Sequence, residues 1–184
     1  MNGNDAVLAL IGIFDELEVS YMIVGSYSSN LYGVPRATKD ADLVFHFEST
    51  DLSEIAKRLP EGVRFDEQSS FEMVTATRRE ILLLEGSNFK IELFHLSDDD
   101  FDQVRFKNRV VVQLDEETRV WAPRAEDVVI QKLRWAKGGN RSKDFADVVN
   151  ILKVQGDMDF QHIERWCGEH GTTGLLEEAR AETS

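Results

Sequence analysis

Four apolar residues, Tyr21-Met22-Ile23-Val24, stop at Gly25-Ser26, and this junction restricts the fold more than any other stretch of the chain. The run is brief, rich in β-formers and closed by turn residues, which predicts a buried strand over 21–24. Gly25 allows a sharp turn and a close approach between backbone and ligand. Ser26 is placed to cap a helix over 27–32. The N-terminus of that helix would offer free N–H groups, which suit a phosphate.

The same stretch continues to Asp40-Ala41-Asp42 and then Leu43-Val44-Phe45-His46-Phe47, which reads as a second strand. Residues two apart on a strand point the same way, so Asp40 and Asp42 are predicted to project side by side at its start. Two adjacent carboxylates repel, and a divalent cation relieves the repulsion. All-oxygen ligands suit Mg²⁺ or Mn²⁺. A phosphate-binding turn beside a hard-metal site points to a nucleoside triphosphate with its metal. Between the two halves, Arg36 and Lys39 are placed to screen triphosphate charge.

The spacing carries a resemblance. Gly25-Ser26, thirteen further residues and then Asp40-Ala41-Asp42 before an apolar strand resemble the first motif of the nucleotidyltransferase superfamily that includes DNA polymerase beta. Arg36-Ala37-Thr38-Lys39-Asp40 is similar to the minimal branch of that superfamily, closest to the abortive-infection type nucleotidyltransferases, some of them toxins of toxin–antitoxin pairs. The resemblance implies an α+β fold: a mixed, mainly antiparallel sheet with flanking helices, followed by a helical part. It also implies transfer of a nucleoside monophosphate to a hydroxyl acceptor. A third carboxylate comes from a neighbouring strand in such proteins, and Glu92 within Phe89-Lys90-Ile91-Glu92-Leu93-Phe94 occupies that place, although aspartate is commoner there. Asp40 and Asp42 would then touch two Mg²⁺ ions, and Glu92 would hold the one that activates the hydroxyl. Glu92 also has reason to be partnered on physical grounds, because an acid inside so apolar a strand is costly alone.

The remaining elements follow from periodicity and punctuation. Val7, Leu8, Leu10, Ile11, Phe14 and Leu17 predict an amphipathic helix over 4–18. A helix over 51–59, starting near Ser49-Thr50-Asp51, ends at Pro60-Glu61-Gly62. Strands over 71–77, 80–85 and 89–95 are predicted to pair antiparallel, with turns at Arg78-Arg79 and at 86–88. A helix from Ser97 to about Lys107 has acids in its first turn, which suit the helix dipole. A hairpin over 109–122 follows, and Pro123 opens a helix over 124–137. Gly138-Gly139-Asn140 breaks that helix. Two more are predicted over about 143–155 and 159–169, then a last turn between Gly171 and Gly174 and a frayed tail after Glu177. The chain therefore divides into an α/β core over 1–122 and a helical region over 123–184 packed on it.

That helical region holds a second constellation: Lys132 on one helix, with Asp144 and Asp147 three apart on the next and so on one face. The resemblance implies that the lysine contacts the triphosphate and that the acids orient the lysine or the acceptor. The alternative is an inter-helix ion pair with a purely structural task. The four histidines show no zinc spacing, and there is no Gly-x-x-x-x-Gly-Lys-Ser/Thr phosphate loop.

Bulk properties narrow the setting. Net charge is −13, from 21 basic and 34 acidic residues, which disfavours a long nucleic-acid footprint. No apolar run reaches membrane-span length, the start lacks a basic secretion signal, and a lone Cys167 rules out a disulfide framework. A cytoplasmic protein with no membrane partner is expected. The acceptor is expected to be tRNA, a protein or a small molecule, and an antitoxin is a possible partner. A non-catalytic relative acting as a binding or regulatory partner is the competing expectation.

Overall fold

A computed structural model describes residues 1–47, 51–67, 70–72, 77–114, 116, 118–139 and 142–183. The first helix, α1 (Gly3–Glu16), opens with a capping box in which Asn2 and Asp5 exchange side-chain-to-backbone hydrogen bonds. Its apolar stripe leads into β1 (Ser20–Val24), with Phe14 and Tyr21 ring centroids 5.6 Å apart. Next come α2 (Gly25–Tyr32), β2 (Asp40–His46) and a short α3 (Leu52–Ala56) capped by Asp51. The strands β3 (Val63–Phe65), β4 (Ser70–Glu72), β5 (Thr77–Leu84) and β6 (Lys90–His95) complete the main sheet.

The sheet order is β1-β2-β6-β5-β3, with β4 also pairing to β5. The β2–β6 pair is parallel and the other pairs are antiparallel, so the sheet is mixed and mainly antiparallel. One face carries Tyr21, Ile23, Leu43, Phe45, Ile91 and Leu93, all buried against α1 and α3. The opposite face carries Met22, Val24 and Val44, covered by Phe106 of α4 (Asp100–Lys107). Asp42 and Glu92 alternate out of the first face and therefore belong to the second.

A separate hairpin, β7 (Val110–Gln113) with β8 (Arg119–Ala122), precedes the helices α5 (Ala125–Lys137), α6 (Ser142–Val154), α7 (Phe160–His170) and α8 (Thr173–Ala181). These four helices form their own apolar core with Phe101 from α4. Tyr32 Oη donates to the Pro123 carbonyl at 2.7 Å, and Gln155 donates to the Tyr32 carbonyl at 2.8 Å. The end of α2 is thereby tied to both sides of the helical region. Among the described residues, no helix is long and apolar enough to cross a membrane.

Several local expectations are corrected. Arg78 and Arg79 lie inside β5 and not in a turn, because β5 is long enough to pair with β4, β6 and β3 in succession. The expected strand over 71–77 is described only at its ends, since 73–76 lie outside the described residues, as do Ser49 and Thr50. The strand β3 had no alternating pattern of its own to announce it. Asp99, not Ser97, caps α4. The helix α8 runs through Gly174 and on to Ala181, in place of the expected last turn between Gly171 and Gly174 and frayed tail after Glu177. Gly171 (φ +64°) closes α7 in the left-handed conformation, and Leu176 and Ala179, three apart, are buried against the helical core. Leu176→Ala is expected to cost about 2–4 kcal/mol of stability, as urea denaturation would measure.

Candidate active site

The β1–α2 turn sets the geometry. Gly25 has φ +61°, and a Cβ added there would stand 1.9 Å from Asp42 Oδ2. Both the turn and the packed carboxylate therefore demand glycine. The helix α2 begins at Gly25 itself, so Ser26 is not the cap expected from its sequence position. Val24 precedes the first turn and no side chain caps it, which leaves first-turn N–H groups uncapped. Ser26 Oγ instead accepts from Arg36 Nη2 at 3.1 Å.

Parallel pairing of β2 with β6 puts Asp42 opposite Glu92 and Asp40 opposite Lys90. The three acids thus come from adjacent strands on one face. Burial first, then the charges of Glu92 and Asp40, push the Asp42 carboxyl up to about 7; Lys132 and Arg79 pull it back only partly. Thr38 Oγ1 donates to the Asp40 carboxylate at 2.5 Å. Glu92 Oε2 accepts from Arg79 Nη1 at 2.7 Å. Arg79 was invisible to sequence reasoning, which had it in a turn; its two-residue offset from Ile81, the partner of Glu92, could have been found only once the β5–β6 register was known. Crowded, undercompensated carboxylate oxygens are a donor set that fits a hard divalent cation. Among the described residues, however, no three His, Cys, Asp or Glu side chains are already gathered around one point. Glu92 is instead paired with Arg79.

The second constellation meets the first through Asp147. Arg36 grips it with two hydrogen bonds, Nε to Oδ1 at 2.9 Å and Nη2 to Oδ2 at 3.0 Å. Lys132 Nζ donates to Asp147 at 2.9 Å and to Asp144 at 2.8 Å, and Ser29 Oγ donates to Asp147 at 3.1 Å. Burial alone would raise the Asp147 carboxyl, but the Arg36 and Lys132 hydrogen bonds outweigh it and hold the carboxyl below the usual range. Lys132 is only 3% exposed. It sits in an inter-helix ion cluster and not on the open surface.

A cleft of about 570 Å³ opens over this arrangement, lined by Ser26, Arg36, Thr38, Lys39, Asp40, Lys143 and Asp144, among others. Of the residues singled out from sequence, the structure brings Ser26, Arg36, Lys39, Asp40 and Asp144 to this cleft. Gly25 and Asp42 touch each other beside it and are not among its lining residues. Lys132 and Asp147 underlie it, and Glu92 flanks Asp42 on the sheet.

Known proteins place the fold. A solution structure of the antibiotic-resistance factor ANT(2'')-Ia superposes with a TM-score of 0.64 at 13% identity, covering 98% of this chain and 97% of that one. A nucleotidyltransferase-like antigenic protein from Paracoccidioides brasiliensis gives 0.56 at 15% identity, covering 95% and 90%. The lincosamide adenylyltransferase LnuA, bound to lincomycin, gives 0.51 at 12% identity, covering 82% and 97%. These likenesses define a nucleotidyltransferase fold. No curated protein matches the chain in sequence. The family model described as nucleotidyl transferase AbiEii toxin, type IV TA system, matches residues 26–183, and the chain belongs to that family.

Two outcomes follow from this geometry. Gly25→Ala is expected to destabilise the protein by about 1–3 kcal/mol, through backbone strain and the clash with Asp42, as seen in thermal melts. Because the Asp42 pKa is higher folded than unfolded, the folded state holds the extra proton between about pH 4 and 7. Stability from this group is therefore present at the acid end of that window and lost as pH rises through about 7. In metal-free buffer, Asp42→Asn should raise the melting temperature at pH 8 by several degrees and much less at pH 5.

Proposed function

We propose that this protein is a metal-dependent nucleotidyltransferase that moves a nucleoside monophosphate from a nucleoside triphosphate to a hydroxyl acceptor. The observation that carries the reading is the register of Asp42 opposite Glu92, with Asp40 alongside, next to the uncapped start of α2. A triphosphate has four negative charges to neutralise, and the cleft supplies the means. First-turn amides of α2 donate to a phosphate, and Ser26, Arg36 and Lys39 line the same wall. Lys143, which sequence reasoning did not single out, stands across from them.

Asp40, Asp42 and Glu92 would hold Mg²⁺ or Mn²⁺, with Glu92 leaving Arg79 to do so. When bound, such ions stabilise the attacking and leaving oxygens of an in-line displacement. The acceptor oxygen bonds to the α-phosphorus, the bond from that phosphorus to the bridging oxygen breaks, and pyrophosphate leaves. The acceptor proton needs a base, and Glu92, opposite Asp42 in the acidic cluster, is the candidate to take it. Lys132 acts beneath the cleft: it neutralises Asp144 and Asp147 and so fixes Arg36 toward the substrate side. Asp144 and Asp147 are accordingly positioning residues. A toxin role, acting on tRNA, a protein or a small molecule in cells that also hold an antitoxin, agrees with the family description.

The competing reading, a non-catalytic binding partner, draws on one feature: Arg79 already neutralises Glu92 without a metal. Calorimetry separates the two. Nucleoside triphosphate with Mg²⁺ is expected to bind the wild type, with at least tenfold loss in Asp42→Asn. Label from an α-³²P-triphosphate should pass to an acceptor in the wild type and not in Asp40→Asn. Absence of any Mg²⁺-dependent nucleotide binding would end the catalytic reading. Lys132→Met is expected to lower triphosphate affinity about tenfold and to destabilise the fold as well, since it removes the buried cation that Asp144 and Asp147 share.

A further inference from the structure

A reaction with two substrates needs two seats, and the protein has a second cleft of about 650 Å³ that the triphosphate reading leaves unused. Its walls include Asn2, Asn4, Tyr27, Asn30, Phe89 and Leu114. It lies on the other side of the 36–38 loop from the first cleft: Arg36, Ala37 and Thr38 line both. Asn30 holds that loop rigidly, since its amide donates to the Arg36 carbonyl at 2.8 Å and accepts from the Arg36 N–H at 3.0 Å.

The shared wall leads to the acidic cluster. Thr38 faces the second cleft and bonds the Asp40 carboxylate. Phe89 precedes Lys90, the register partner of Asp40 across the β2–β6 pair, and the Lys90 N–H donates to the Lys39 carbonyl at 3.2 Å. A ligand in the second cleft therefore lies against Thr38, whose hydroxyl bonds Asp40, with the 36–38 loop between the two clefts. Its volume is within the range of small-molecule sites.

The lining selects a class of ligand. Arg36 is the one charged residue among those lining this cleft, and its guanidinium turns away to Ser26 and Asp147. Among the described residues that line it there is no carboxylate, although the chain as a whole carries −13. Two half-exposed aromatic rings, Tyr27 and Phe89, also line it, with Gly3 packed on the Phe89 ring. The Tyr27 hydroxyl donates to Asn4 Oδ1, which orients that amide and leaves its nitrogen to donate to a ligand. Neutral amides and aromatic faces suit an uncharged ring that carries hydroxyls. They do not suit a polycation, whose ammonium groups need carboxylate partners.

We propose that the second cleft is the acceptor seat and that it takes an uncharged, hydroxyl-bearing ring compound, presenting a hydroxyl past Thr38 toward Asp40. The assignment rests on reading the first cleft as the triphosphate seat. Sugars and nucleosides share this chemistry, and different probes tell them apart.

The test is amide chemical-shift mapping of the full chain with methyl β-glucoside, uridine, tobramycin and Mg²⁺·ATP, each added separately. Methyl glucoside or uridine is expected to shift the side-chain amides of Asn2 and Asn4; whichever does so identifies the source. Mg²⁺·ATP should shift the backbone amides of Ser26 and Lys143 and leave those side chains in place. Tyr27→Phe should weaken the neutral probe about fivefold. Asn4→Asp, which suits an early helical position, should let tobramycin shift the second cleft where the wild type does not. The proposal is overturned if neither neutral probe reaches Asn2 and Asn4, if tobramycin does so in the wild type, or if Mg²⁺·ATP itself occupies that cleft. Failure of Mg²⁺·ATP to bind anywhere, with the neutral probe still binding, would instead overturn the nucleotidyltransferase reading and with it the word acceptor.

Discussion

Asp147 is the contact on which the rest of the site depends. One buried carboxylate receives Arg36 from the loop before β2, Lys132 from α5 and Ser29 from α2. Removing charges from water costs several kcal/mol per ion unless each is paired with good geometry. Here two cations meet two acids, Asp144 and Asp147, and a bidentate guanidinium fixes direction as well as charge. The network therefore locks the wall between the two clefts to the helical region. The core over 1–122 and the helices after it are joined by a polar clamp at this point, reinforced by the two hydrogen bonds at Tyr32.

The acidic cluster shows the opposite design. Asp42 is pressed against the Gly25 turn with Asp40 and Glu92 nearby, and its carboxyl remains undercompensated. One part of the protein satisfies its buried charges fully, while the adjacent part holds charges in tension. Perturbed ionisation of this kind concentrates where ligands or chemistry supply the missing partner. Arg79 limits the tension by pairing with Glu92, and among the described residues the three acids on neighbouring strands are not gathered around one point.

Much of this was legible in the chain. The apolar run over 43–47 announced the second strand, and the spacing of Gly25, Asp40 and Asp42 marked the turn and the acid pair. What escaped had weak local signals. Arg79 looked like a turn residue because two adjacent arginines seldom mark a strand, and only pairing with β4 and β6 makes them one. The helix α8 was hidden by Gly171 and Gly174, since glycine reads as a stop; the burial of Leu176 and Ala179 outweighs that local cost. The cap role given to Ser26 failed because α2 starts two residues earlier, which freed its hydroxyl for Arg36.

By itself the sequence determined which residues carry charge, where the chain must turn, and that Asp40 and Asp42 share a face, because these depend on side-chain chemistry and on the two-residue repeat of a strand. Only the tertiary structure decided that Glu92 stands opposite Asp42, that Lys132 is buried under the cleft, and that two clefts flank one loop. Each of those depends on register and packing between segments distant along the chain, and no local pattern encodes which distant strand or helix will lie alongside.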